Sequence, residues 1–78
     1  MEIKIYSTPT CPYCKMAKSY ISSKGFAYTD FDVSTDQTAA QAMVKLTGQM
    51  GVPVISVDGQ VLVGFDKSRL DQLLGQQK

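Results

Sequence analysis

A chain of 78 residues, 44% hydrophobic and 19% charged, has the composition of one small folded domain spanning residues 1–78, with no room for a second. Its formal net charge of +1 comes without a basic run, which argues against nucleic-acid and membrane partners. Two cysteines and no histidine cannot close a tetrahedral zinc site within one chain, so no metal site is expected and the cysteines require another chemistry.

The segment Met1-Glu2-Ile3-Lys4-Ile5 lacks the apolar run of a signal peptide, and no stretch offers the roughly 18 apolar residues of a membrane span. A cytoplasmic monomer is expected. Glu2 to Ser7 reads as a strand, and the turn-forming Thr8-Pro9-Thr10 delivers it to Cys11-Pro12-Tyr13-Cys14. Tyr13, Met16, Ala17, Tyr20 and Ile21 recur at the spacing of one helix face, which predicts a helix to about Lys24 with Gly25 just beyond its end.

Tyr28 to Val33 alternates Phe31 and Val33 with Asp30 and Asp32, the pattern of a half-exposed edge strand. Ser34, Thr35 and Asp36 offer caps for a second helix, with Ala40, Met43, Val44 and Thr47 on its inner face and Gly48 at its end. Val52 to Val57 is apolar enough for a strand covered on both faces, and Asp58-Gly59 joins it to Gln60–Val63 as a hairpin. Asp66 then caps a last helix that turns Leu70, Leu73 and Leu74 inward. The fold class is α/β: the order β-α-β-α-β-β-α predicts a mixed four-stranded sheet flanked by three helices.

Cys11 and Cys14, two residues apart at the start of a helix, can close and open a small ring with little backbone movement. With Cys11 as the N-cap, Pro12 takes the first helical position, where its missing N–H costs nothing. The amides of Tyr13 and Cys14 then face the Cys11 sulfur, and a helix N-terminus stabilises negative charge by up to ~2 kcal/mol. Cys11 is expected to be the nucleophilic thiolate, and Cys14, nearer the core, the resolving thiol. A purely structural disulfide is a weaker explanation, because a four-residue loop yields only ~2 kcal/mol. Tyr13, on the first turn between the cysteines, is expected to border the substrate groove.

Cys-Pro-Tyr-Cys on a strand-to-helix turn is the glutaredoxin form of an active-site tetrapeptide, and nearly the whole chain resembles that family and its minimal thioredoxin fold. Gly51-Val52-Pro53 looks like the family's Thr-Val-Pro loop. The resemblance implies a cis proline and makes Val52 and Pro53 substrate-binding residues. Gly64-Phe65-Asp66 is similar to the Gly-x-Asp segment that holds the γ-glutamyl end of glutathione, in the manner of a helix-terminal anion site. Thr8 and Gln49 stand where many relatives carry basic residues, and Val63 and Lys67 replace the usual second glycine and second aspartate.

The function implied is reduction of protein disulfides and glutathione mixed disulfides, with glutathione as reducing co-substrate and no bound cofactor. Two rivals follow from the same resemblance. One is an electron donor, for example to ribonucleotide reductase, recycled by thioredoxin reductase. The other is an iron–sulfur carrier in which two chains each give Cys11 and two glutathiones complete the ligands.

Overall fold

Alternation within Ile3–Ser7 sends Ile3 and Ile5 to one face of a strand and Tyr6 to the other, so the first strand must be covered on both sides. The computed structural model describes residues 2–49 and 51–75 and shows how. The chain runs β1 (Ile3–Ser7), α1 (Pro12–Ser23), β2 (Thr29–Asp32), α2 (Gln37–Thr47), β3 (Val54–Val57), β4 (Gln60–Val63) and α3 (Lys67–Gly75). Met1, Met50 and residues 76–78, included in the domain expected over 1–78, lie outside the described residues.

The sheet order is β2-β1-β3-β4, with β1 parallel to β2 and the other pairs antiparallel. This is the mixed thioredoxin-like sheet expected, with β2 at an edge. A parallel pair needs a crossover, which α1 supplies, whereas β3 and β4 need only a tight turn. Asp58 and Gly59 make it with φ of 48° and 88°, the two left-handed positions of a primed hairpin turn.

Two cores result. Ile3, Ile5, Ile55, Val57 and Leu62 meet Ala17 and Ile21 of α1 and Leu70 and Leu74 of α3 on one face. On the other, Tyr6 and Val54 meet Ala39 and Met43 of α2, and the Tyr6 ring stacks on Phe31 at 5.2 Å. Each fully buried Ile, Leu or Met contributes about 1.5–3 kcal/mol, so these few residues dominate the stability of so small a domain.

Both inner helix faces differ from expectation. On α1 the buried residues are Cys14, Ala17 and Ile21, while Tyr13 (60%) and Met16 (49%) are exposed. The two possible stripes share Ala17 and Ile21, and the small apolar Cys14 completes the one that fits against the sheet. On α2 the inward row is Ala39 and Met43, with Ala40, Val44 and Thr47 only partly covered. Met43 fills the space beside Tyr6 and Val54, which centres the helix on that residue. Strand β3 begins at Val54 rather than Val52, since Pro53 has no N–H for the ladder. Among the described residues, no helix is long and apolar enough to cross a membrane.

Candidate redox site

The sheet topology collects the expected site residues at one end. Pairing of Tyr6 with Val54 sets the start of β3 beside the end of β1, and pairing of Val54 with Val63 brings the end of β4 alongside. The loops carrying Cys11, Val52-Pro53 and Gly64–Asp66 therefore meet the sheet at the same edge. All three helices begin there too, because each follows a strand that ends at that edge.

Cys11 is the N-cap of α1, with extended φ and ψ of −89° and 112°, and Pro12 opens the helix. The Cys11 amide donates to the Thr8 carbonyl at 3.3 Å, closing the turn that aims the cysteine. Of the two amides expected to face its sulfur, that of Cys14 makes the bond, with N to Sγ at 3.2 Å. Both cysteines are free thiols, Cys11 partly accessible and Cys14 fully buried.

Burial pushes the Cys14 thiol up to about 11, and its hydrogen bond with the Cys11 side chain adds to the rise; the Thr8 backbone and the Lys18 charge pull in the opposite direction. The pair is thus asymmetric. One sulfur is reachable and held at a positive helix end, and the other is shielded and reluctant to ionise.

A polar cluster that the sequence reading did not single out lies behind Cys14. Lys18, one turn further along α1, sits with its Nζ 2.7 Å from Asp30 Oδ2, and the buried Ser7 hydroxyl donates to Asp30 Oδ1 at 2.6 Å. The Asp30 carboxylate holds the Lys18 ammonium above its ordinary range. Spacing of four from Cys14 to Lys18 is the one local sign of this cluster, since Asp30 joins it only through the pairing of β2 with β1.

The peptide bond between Val52 and Pro53 is cis, Pro53 is buried, and Val52 is partly covered. The Pro53 carbonyl accepts the Gly64 amide at 2.8 Å, tying the two loops together. Gly64 has φ of +85°, Phe65 stands edge-on to Tyr20 at 6.0 Å, and Asp66 caps α3 by accepting the Arg69 amide at 3.3 Å. Tyr13 projects from the first turn of α1 into solvent.

A family model described as Glutaredoxin matches residues 3–62. Over 72 residues the chain is 49% identical to an uncharacterized glutaredoxin-like 8.6 kDa protein in the rubredoxin operon of Clostridium pasteurianum, a match covering 92% of this chain and 96% of that one. Among solved structures it is similar to the thioredoxin-like protein BC3987, with a TM-score of 0.87, 32% identity, and coverage of 92% and 99%. It is also similar to the NrdH-redoxin of Escherichia coli, a glutaredoxin-like protein with a thioredoxin-like activity profile, at a TM-score of 0.83, 26% identity, and coverage of 94% and 95%. Fold, Cys-x-x-Cys spacing and sequence agree: the chain belongs to the glutaredoxin family.

Proposed function

We propose that the protein reduces protein disulfides and glutathione mixed disulfides through Cys11 and Cys14, with glutathione as the electron source. The observation that carries this reading is the 3.2 Å bond from the Cys14 amide to a partly accessible Cys11 sulfur, beside a second thiol that is fully buried. The Cys11 thiolate attacks one sulfur of the target disulfide, forming a mixed disulfide and expelling a thiolate. Cys14, once deprotonated, attacks the Cys11 sulfur, closes the internal disulfide and releases the second thiolate. The dithiol has then given two electrons to the target. Two glutathiones return them, ending as glutathione disulfide.

In this reading Val52 and Pro53 present backbone to the substrate, Tyr13 borders it, and Gly64, Phe65 and Asp66 receive the γ-glutamyl end of glutathione. No resident cofactor or metal is required, and a reducing cytoplasm keeps the pair as a dithiol.

The likeness to an NrdH-redoxin with a thioredoxin-like activity profile favours a second reading. In it, thioredoxin reductase supplies the electrons and ribonucleotide reductase is one acceptor. Thr8 and Gln49, where basic residues would meet the glycyl carboxylate of glutathione, point the same way. Parallel assays of the oxidised protein with glutathione plus glutathione reductase, and with thioredoxin reductase, separate the two. Reduction by glutathione supports the first reading; reduction by thioredoxin reductase alone overturns it in favour of the second.

A further inference from the structure

Beside the redox site, the outer side of α1 and the start of α3 border an open groove of about 520 Å³. Met16, Tyr20 and Phe65 give it an apolar floor, and Lys15 and Lys67 stand along it. Lys24 and Lys67 each place an ammonium 5.3 Å from the Tyr20 ring centroid. The ion pairs among the described residues are Lys4 with Glu2 and Lys18 with Asp30, so none of these three lysines is matched by a carboxylate. Asp71 accepts from the Tyr20 hydroxyl and Asp66 from the Arg69 amide; both carboxylates keep their charge, but neither lies within ion-pair distance of these lysines.

The groove is lined by residues adjacent in the chain to those of the site. Lys15 follows Cys14 directly, Phe65 lies between Gly64 and Asp66, and Ser23 marks the far end. Lys15 and Ser23 are eight helical positions apart, a rise of about 12 Å, which matches roughly four residues of extended chain.

We propose that this groove seats an acidic segment flanking the disulfide of the polypeptide being reduced: an extended stretch with two or three carboxylates for Lys15, Lys24 and Lys67, and an apolar side chain for the floor of Met16 and Phe65. The inference rests on the dithiol reading above and adds the class of protein substrate. Charge complementarity decides the occupant. A neutral or basic segment leaves Lys24 and Lys67 at the Tyr20 ring, and Lys15 along the groove, without a carboxylate, whereas an acidic one gains attraction that speeds encounter.

The test uses the reduced protein in single turnovers against three disulfides. One is a peptide whose internal disulfide is flanked on both sides by Asp and Glu, the second is the same peptide with Asn and Gln, and the third is bis(2-hydroxyethyl) disulfide. Lys24→Gln/Lys67→Gln is compared with the natural chain, both positions being outside the residues assigned to the chemistry. The natural chain is expected to reduce the acidic peptide at least tenfold faster than the amide peptide. The double variant and 0.5 M salt should each remove most of that preference, with the hydroxyethyl disulfide rate unchanged by the substitutions. Equal rates on the two peptides, or a preference that survives the double substitution, overturn the groove assignment while leaving the dithiol reading intact. Failure on all three disulfides instead removes the dithiol reading, and the assignment with it.

Discussion

The backbone amide of Cys14 donates to the sulfur of Cys11 across 3.2 Å, while the Cys14 thiol itself is sealed from solvent. The same residue supports one sulfur as a hydrogen-bond donor and holds the other out of reach. At neutral pH, iodoacetamide should therefore alkylate Cys11 in a fast phase and leave Cys14 untouched in the folded protein. Peptide mapping after brief labelling checks this, and equal labelling of both cysteines would contradict the asymmetry.

The raised Cys14 pKa makes the stability of the reduced protein depend on pH. An unfolded thiol ionises near its ordinary value of 9.0, whereas in the fold Cys14 is held up to about 11. Below pH 9 both states keep the proton and this contribution is fully present. Between 9 and 11 the unfolded chain releases a proton that the fold retains, so stability falls by about 1.4 kcal/mol per pH unit. By pH 11 roughly 2 kcal/mol is lost. Urea unfolding from pH 8 to 11 should show this fall in the reduced protein, and Cys14→Ser should fall less steeply, keeping only what the raised Lys18 and Tyr20 contribute.

Gly64 donates its amide to the Pro53 carbonyl while holding φ at +85°, and a Cβ there would meet no atom within 4 Å. Any penalty for Gly64→Ala is then conformational rather than a clash, about 1–2 kcal/mol. Gly64→Asn should recover part of it, because asparagine tolerates the left-handed region better than alanine. Equal loss in the two variants, measured by urea midpoint, would show that space rather than backbone conformation sets the cost.

Features written in adjacent residues were legible in the chain. Cys11, Asp36 and Asp66 cap the helices they precede, and Asp58-Gly59 turns the hairpin. Which face of α1 turns inward was not legible. Tyr13 and Met16 satisfy the helical period as well as Cys14 does, and only the sheet beneath α1 decides between them. The cluster of Ser7, Lys18 and Asp30 was hidden for the same reason, since residues 7 and 30 become neighbours only through parallel pairing of β1 with β2.

That cluster should act on the second chemical step. Lys18 lies one turn from Cys14, and its charge favours the Cys14 thiolate. Lys18→Met removes that charge and leaves the Asp30 carboxylate nearby, so attack by Cys14 should slow about threefold to tenfold while the first attack by Cys11 is unchanged. Stability should change by less than ~1 kcal/mol, because the ion pair is partly exposed, at 22% and 36% of its side chains. Rapid quenching of a mixed disulfide with a reporter peptide measures the two steps separately, and equal slowing of both would place the effect of Lys18 at Cys11.

The division of labour between the sulfurs leads to a sharper separation of activities. One thiol suffices to take glutathione from a mixed disulfide, because a second glutathione can then remove it from Cys11. A protein joined to Cys11 has no such small thiol in register, and its release depends on attack by Cys14. Cys14→Ser should therefore keep part of the activity on glutathione mixed disulfides, lose most reduction of protein disulfides, and retain protein partners as bands that vanish with dithiothreitol on gels. Cys11→Ser should lose both activities, since the buried Cys14 cannot reach a substrate. If Cys14→Ser loses the two activities to the same extent, glutathione does not exchange at Cys11 by the one-thiol route, and thioredoxin reductase becomes the expected electron source.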